Sequence, residues 1–256
     1  MKIQGYLESE GIIVKISSVE DIKNFLEKLG RTINEITEIE LDKLVFFKVN
    51  SMLSTYNLID DCNVKYKTNP LICLTCYNAF LKPFSFINSY KIKDGTIAIN
   101  QGAFRKHHNE VDRFESVYMP DTIIIIGPSA FQDRTLLKHV KLPNNLLKIG
   151  GYAFSNCLSL TTLEPFKSLK YIGAFAFKNS GIKTITIPAS TIKIGSGAFS
   201  NCQLLNSVTF EGVPMDIGSN IFGQCPNLSE IKIPHGSFEY FEKALFPLNK
   251  EIIKEN

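Results

Sequence analysis

Long apolar runs are missing from this chain. The longest purely apolar stretches span four residues, such as Ile123 to Ile126, far below the ~18 that a membrane-spanning helix needs. An excess of one charge is missing too. With 28 basic and 25 acidic residues the formal net charge is +3, which argues against the basic stripe of a nucleic-acid-binding surface. Cysteine is sparse, six in 256 residues; that excludes a disulfide-stapled scaffold and leaves stability to packed side chains. The start of the chain lacks the unbroken apolar stretch of a secretory signal, because Glu8, Glu10 and Lys15 interrupt it. The expectation is that the chain stays inside the cell, or is exported by a segment outside this sequence.

Catalytic signatures are also wanting. There is no Gly-x-Ser-x-Gly elbow, no phosphate-cradling loop ending in Gly-Lys-Ser/Thr and no His-Glu-x-x-His pair. Cys73 and Cys76 form a lone CxxC; a zinc site wants a second such pair, and a redox site wants a thioredoxin-like βαβ setting. Buried thiols in a degenerate repeat are the plainer account. The expectation is therefore no enzyme, no cofactor and no metal.

What the chain does have is a repeat, the feature to seek first in any sequence. Small-Phe or Ile-Phe pairs end at Phe104, Phe131, Phe154, Phe177, Phe199 and Phe222, at steps of 27, 23, 23, 22 and 23 residues. Four residues before each Phe stand Asn100, Gly127, Gly150, Gly173, Gly195 and Gly218, each preceded by isoleucine. Glycine or asparagine at one fixed place predicts a turn with positive φ. The small residue before Phe allows a tight helical turn against the neighbouring coil. The six Phe side chains predict an aromatic spine, each worth roughly 1.5–3 kcal/mol when buried. Amides follow at Asn156, Asn179, Asn201 and Gln224, placed to form a ladder that satisfies backbone groups. A short alternating strand then closes on proline, as in Val140-Lys-Leu-Pro143, Ile185-Thr-Ile-Pro188 and Ile231-Lys-Ile-Pro234.

The unit I-P-x-x-(L/I)-x-x-I-G-x-x-A-F-x-N-C-x-x-L-x-x-(V/I), nearly complete from Pro143 to Leu163, resembles the BspA-like leucine-rich repeat of surface proteins from anaerobic bacteria and protozoan parasites. The resemblance covers about residues 95 to 234 and continues into Ile233-Pro-His-Gly-Ser-Phe-Glu-Tyr-Phe-Glu-Lys, similar to the family's closing segment. It implies an α/β leucine-rich-repeat solenoid, right-handed, with short strands, short helical turns and a period of about 23 residues. The departures are Asn100 for Gly, Ile221 for Ala and a shortened corner from Pro214 to Ile217. Ala79-Phe80 lies 24 residues before Phe104 and marks a possible seventh, degenerate unit.

The organisation expected is 1–75 as an N-terminal cap or small mixed α/β region, 76–234 as the solenoid and 235–256 as a C-terminal capping helix and tail. Solenoids expose apolar ends and need such covers. At the C-terminal end Phe238, Phe241, Leu245 and Phe246 recur at helical spacing and Pro247 ends the pattern. At the N-terminal end Ser18 and Asp21 resemble a capping box, Ile22, Phe25, Leu26 and Leu29 line one helix face, and Gly30 stops it; Glu38 to Val49 reads as strand.

If the strand before each proline alternates, its outward side chains are Ser116 and Tyr118, His139 and Lys141, Thr162 and Glu164, Thr184 and Thr186, Ser207 and Thr209, Glu230 and Lys232. The second short strand would expose Ile125, Lys148, Tyr171, Lys193 and Asp216. Exposed aromatics on a rigid sheet serve interfaces as anchors, so the candidate binding residues are Tyr118, His139, Lys141, Glu164, Tyr171, Thr184 and Thr186; a merely solvated face is the plainer alternative. His107, His108, Glu110 and Asp112 lie in a stretch that coincides with the four-residue insertion of the first step, which reads as a solvated charged loop or, since insertions gather on one face, as a partner contact. Cys157, Cys202 and Cys225 fall three residues after Phe. Cys202 and Cys225 are within Cα reach of a disulfide, yet ladder side chains run parallel, so free thiols are expected. The function expected is non-catalytic binding of a protein or glycan by a monomer. By resemblance the protein is a cell-surface adhesion or host-interaction protein; the alternative is an intracellular, cytoplasmic interaction scaffold.

Overall fold

The computed structural model describes residues 88–92, 94–106 and 111–256 continuously. Before these it describes five strands and the helical positions Asn24 and Glu27. Asn24 and Glu27 are exposed; the apolar positions of that expected helix, Cys76, Phe80 and the strand expected from Glu38 lie outside the described residues.

Strands β1 (Gly5–Ser9) and β2 (Ile12–Ile16) form an antiparallel hairpin. Strands β3 (Leu58–Ile59), β4 (Lys65–Lys67) and β5 (Ile72–Leu74) form an antiparallel meander. From β5 onward every pairing is parallel. Coil after coil then supplies two strands, one to each of two ladders. The first ladder holds β6 (Ser89–Lys91), β8 (Ser116–Tyr118), β10 (His139–Lys141), β13 (Thr184–Ile187), β15 (Ser207–Phe210), β17 (Glu230–Ile233) and β18 (Ile253–Glu255). The second holds β7 (Thr96–Ile99), β9 (Ile125–Ile126), β11 (Lys148–Ile149), β12 (Tyr171–Ile172), β14 (Lys193–Ile194) and β16 (Asp216–Ile217). The second ladder continues through β5 into the meander as one nine-stranded sheet. The molecule is a parallel β-solenoid of about seven turns with little helix.

The first ladder is broken in its middle, into sheets β6-β8-β10 and β13-β15-β17-β18. Thr162 to Glu164, the segment that should join them, forms no strand. Proline is the physical reason. Other coils place an apolar residue before their proline, as Leu142 precedes Pro143; here Pro165 takes that place itself and has no N–H to donate.

The coil's third side differs from the helical turn expected of it. It is a run of tight turns whose backbone bonds reach across coils. The amides of Phe104, Phe131, Phe154, Phe177 and Phe199 donate to the carbonyls of Ala130, Ala153, Ala176, Ala198 and Ile221 at 2.7–2.8 Å. The residue before each Phe from Phe131 to Phe222 is thus the acceptor of an inter-coil bond. Positive φ falls not on the repeat glycines but two residues after them, at Ser129, Tyr152, Phe175, Gly197 and Asn220, and again two residues after each Phe from Phe131 to Phe222. The glycines serve close approach instead: a Cβ on Gly173 would lie 2.3 Å from the Gly151 nitrogen.

Inside the coils the Phe rings stack with centroids 5.0, 5.2, 5.4, 5.2 and 5.7 Å apart from Phe104 to Phe222. Their planes lie within 6° of one another until the last step, which opens to 27°. All six rings are buried. At the C-terminal end helix α1 (Phe238–Ala244) places Phe241 4.7 Å from Phe210, centroid to centroid, and buries it with Leu245, whereas Phe246 is exposed. Strand β18 then adds to β17.

Candidate functional site: the open strand face

The register of the first ladder sets one column of side chains. Lys91, Tyr118 and Lys141 are direct partners across β6, β8 and β10; Ser89, Ser116 and His139 make the column beside them. The strand interiors, Tyr90, Val117 and Val140, turn into the core, so these partners project outward by simple alternation. Tyr118 is 45% exposed with a lysine on either side. Beside it opens a cleft of about 690 Å³ lined by Ser89, Lys91, Asp94, Tyr118, Asp121 and Lys141, among others. An amphipathic ring between two ammonium stems suits partner contact, since it offers apolar area and hydrogen bonding at small cost in conformational freedom.

Asp121, exposed on the lining of the cleft, is held by the next coil. Its carboxylate accepts the Asn144 backbone N–H at 2.8 Å and the Asn144 amide at 2.9 Å. Those bonds, the backbone one foremost, hold its pKa below the usual carboxylate value, with the Lys141 and Lys167 charges assisting. Lys91, Ser89 and Asp94 were not read from the sequence. A signal existed: Ser89-Tyr-Lys stands 27 residues before Ser116-Val-Tyr, the same step as Phe104 to Phe131, but no proline closes that strand.

The other candidates disperse. Thr184 and Thr186 lie on β13, the far side of the break, and Glu164 stands exposed in the break. Tyr171 is corrected: it is 8% exposed and does not belong to the face. It sits in register between Lys148 and Lys193 of the adjoining coils and has further contacts besides. Ile125 and Lys148 are buried as well, while Asp216 is exposed and Lys193 half-buried. Alternation fails as a guide there because the strand is only two residues long.

Of the insertion, His107, His108 and Glu110 lie outside the described residues. Asp112 is no solvated loop residue. Its side chain is 5% exposed and pairs with the wholly buried Arg134 at 3.4 Å. It also accepts from Thr135 and from the Phe114 and Leu136 backbones. Arg134 stands three residues after Phe131, where later coils carry cysteine or serine, and donates Nε to the Phe104 carbonyl at 2.6 Å. Cys157, Cys202 and Cys225 are free thiols that donate to the carbonyls of Phe131, Phe177 and Phe199 at 3.1–3.3 Å. The amides after Phe do form a ladder, but with one another: Asn156 donates to Asp133, Asn179 to Asn156 and Asn201 to Asn179 at 2.6–3.0 Å.

One surface feature had no sequence signal at all. Tyr152 and Phe175 occupy successive positive-φ positions, φ 58° and 56°, and stack at 5.1 Å with Lys178 over the Phe175 ring. Bulky side chains in that region cost about 1–2 kcal/mol each.

The BspA type leucine rich repeat region, in six copies, matches residues 108–182 and 170–254, together more than half of the chain. The chain belongs to the BspA-type leucine-rich-repeat family. This BspA-type chain is similar to a leucine-rich repeat protein of Bacteroides ovatus, 26% identical with a TM-score of 0.53, over 70% of this chain and 45% of that one. It is also similar to the T. pallidum leucine rich repeat protein, 25% identical with a TM-score of 0.54, over 69% and 80%. The BspA-type chain thus spans less than half the length of the Bacteroides protein. No curated protein matches it. The family marks a repeat protein-interaction module, and no catalytic family is indicated. Among the described residues no helix is long and apolar enough to cross a membrane.

Proposed function

We propose that this BspA-type protein is a non-catalytic module that holds a protein or glycan partner on its first-ladder face, centred on Tyr118. The observation that carries this reading is the convergence of Lys91, Tyr118 and Lys141 in strand register at the mouth of the 690 Å³ cleft. Rigid spacing supports it, because side chains fixed by a ladder lose little freedom on binding. The finer role is adhesion or host interaction at the cell surface, acting as a monomer and without nucleic acid.

The test is a solid-phase binding panel of matrix proteins and glycans, with Tyr118→Ala and Lys141→Glu beside the parent. Saturable binding that weakens tenfold or more in Tyr118→Ala supports the face, since central aromatic anchors carry about 2 kcal/mol or more. Absence of saturable binding, or binding indifferent to both substitutions, sinks it.

A second reading, an intracellular scaffold, draws on the free thiols Cys157, Cys202 and Cys225, which suit a reducing compartment. Protease shaving of intact cells separates the two. Loss of the native protein on shaving favours adhesion; protection within the soluble fraction favours the scaffold.

A further inference from the structure

The thiols after the Phe spine are not equivalent. Cys157 has Arg134 in the coil before it and Ser180 in the coil after it at the same repeat position, and it is fully buried. Cys202 has Ser180 on one side, 3.4 Å from its sulfur, and Cys225 on the other. Cys202 and Cys225 therefore sit at equivalent positions of adjacent coils. Their flanking strands β15 and β17 are paired in strict register, Ser207 with Glu230 and Val208 with Ile231. Coils in that register stand about 4.8 Å apart, inside the Cα range that a disulfide spans. Both thiols point the same way, toward the carbonyls of the preceding Phe residues.

Access differs as well. Cys202 is wholly buried, but Cys225 is half-buried and lines a cavity of about 530 Å³ beside Gln203, Phe222, Pro226 and Leu248. Hydrogen bonding between the two thiols brings Cys202 down to about 7 and, with burial, pushes Cys225 up. One proton is thereby lost from the pair near neutral pH, and a thiolate is the reactive form.

We propose that Cys202 and Cys225 are an oxidisable pair, converted by hydrogen peroxide or a small organic peroxide into a disulfide that staples the last two coils together. The oxidant enters by the cavity. The Cys202 thiolate takes the Cys225 proton as the Cys225 sulfur attacks the peroxide's terminal O–H oxygen. The O–O bond breaks, and the departing oxygen takes that proton from Cys202 and leaves as water, or as an alcohol from an organic peroxide, giving a sulfenic acid. The Cys202 thiolate then attacks the Cys225 sulfur; the S–O bond breaks and hydroxide leaves, taking a proton from solvent to become water. Two thiols lose two electrons and the peroxide gains them. A dithiol reductant reverses the step. The inference is independent of the Tyr118 face.

The experiment uses the reduced full-length protein. It is treated with hydrogen peroxide, alkylated after unfolding and cleaved at lysine and glutamate. Lys193, Glu211 and Glu230 bound the peptides 194–211 and 212–230, so the two cysteines separate, and Cys157 lies in a peptide that starts after Lys148. The expected result is the two peptides joined, lighter by two hydrogens and parted by dithiothreitol, with Cys157 still alkylated. In Cys202→Ser, Cys225 stops at the sulfenic acid and is trapped by dimedone; in Cys225→Ser, Cys202 stays reduced. Cys157→Ser leaves the joining unchanged. Full alkylation of both cysteines after peroxide, or sulfinic acid at Cys225 with Cys202 intact in the parent protein, overturns the proposal. The parent result decides the matter even if a serine variant fails to fold.

Discussion

The first and the later coils satisfy the same carbonyl by opposite means. In three of the later coils the position three residues after Phe holds a thiol that reaches the Phe carbonyl of the coil before, a weak donor in an apolar interior. In the coil of Phe131 it holds Arg134, whose Nε takes the Phe104 carbonyl while Nη1 meets Asp112 from the insertion and the guanidinium carbon sits 5.5 Å from the centre of the Phe114 ring. The acceptor is a fixed demand of the repeat; the donor is free to vary. Where the donor is a cation, the fold must bring a carboxylate with it. The insertion that lengthens the first step to 27 residues is what delivers that carboxylate.

This contrast can be broken at several levels. Removing the carboxylate while leaving the cation has the largest effect. Asp112→Ala strands a buried guanidinium and is expected to cost about 3–5 kcal/mol, read as a fall in denaturant midpoint at unchanged slope. Converting the first coil to the later pattern, Asp112→Ala with Arg134→Cys, removes both charges and is expected to recover most of that loss; recovery under about 1 kcal/mol would show that the pair stabilises beyond mutual compensation. On the thiol side, Cys157→Ala takes the thiol donor from the Phe131 carbonyl, which keeps only the Arg134 backbone N–H, and leaves a small void. A loss of about 1–2 kcal/mol is expected by the same titration. Asn179→Ala interrupts the amide ladder and puts alanine at φ 55°, for about 1–2 kcal/mol. The smallest effect belongs to Tyr118→Ala, within about 0.5 kcal/mol of the parent in stability, although the ligand binding proposed above depends on it.

Legibility in the sequence followed the same divide between what the repeat requires and what it tolerates. Spacing revealed the Phe column and the two strands per coil, because each recurs in every coil and a recurring side chain answers a recurring constraint. The glycines were found but misread. Their absence of Cβ clears the backbone of the coil before, a relation between residues 23 apart that no local turn rule contains. The pairing of Asp112 with Arg134 was hidden for the opposite reason: it occurs once, so no periodicity announces it, and the run His107 to Asp112 looks like any charged loop. Tyr171 was misplaced because a two-residue strand has too few positions for alternation to declare its faces. The Tyr118 column was partly legible, and its missing member, Lys91, lay in a coil whose strand lacks the closing proline.

The inter-coil bonds of the Phe and Ala column all run along the axis of the solenoid, as do those of both ladders. A pull on its two ends therefore loads every coil junction in series, and the junction with the fewest bonds yields first. Among the described coils, the junctions beside Pro165 lack the strand pairs of the first ladder, which makes them weak ones. If the protein tethers one body to another, the break in the face doubles as a mechanical fuse: the chain gives way in its middle under tension, leaving the Tyr118 half and the C-terminal half each still wound.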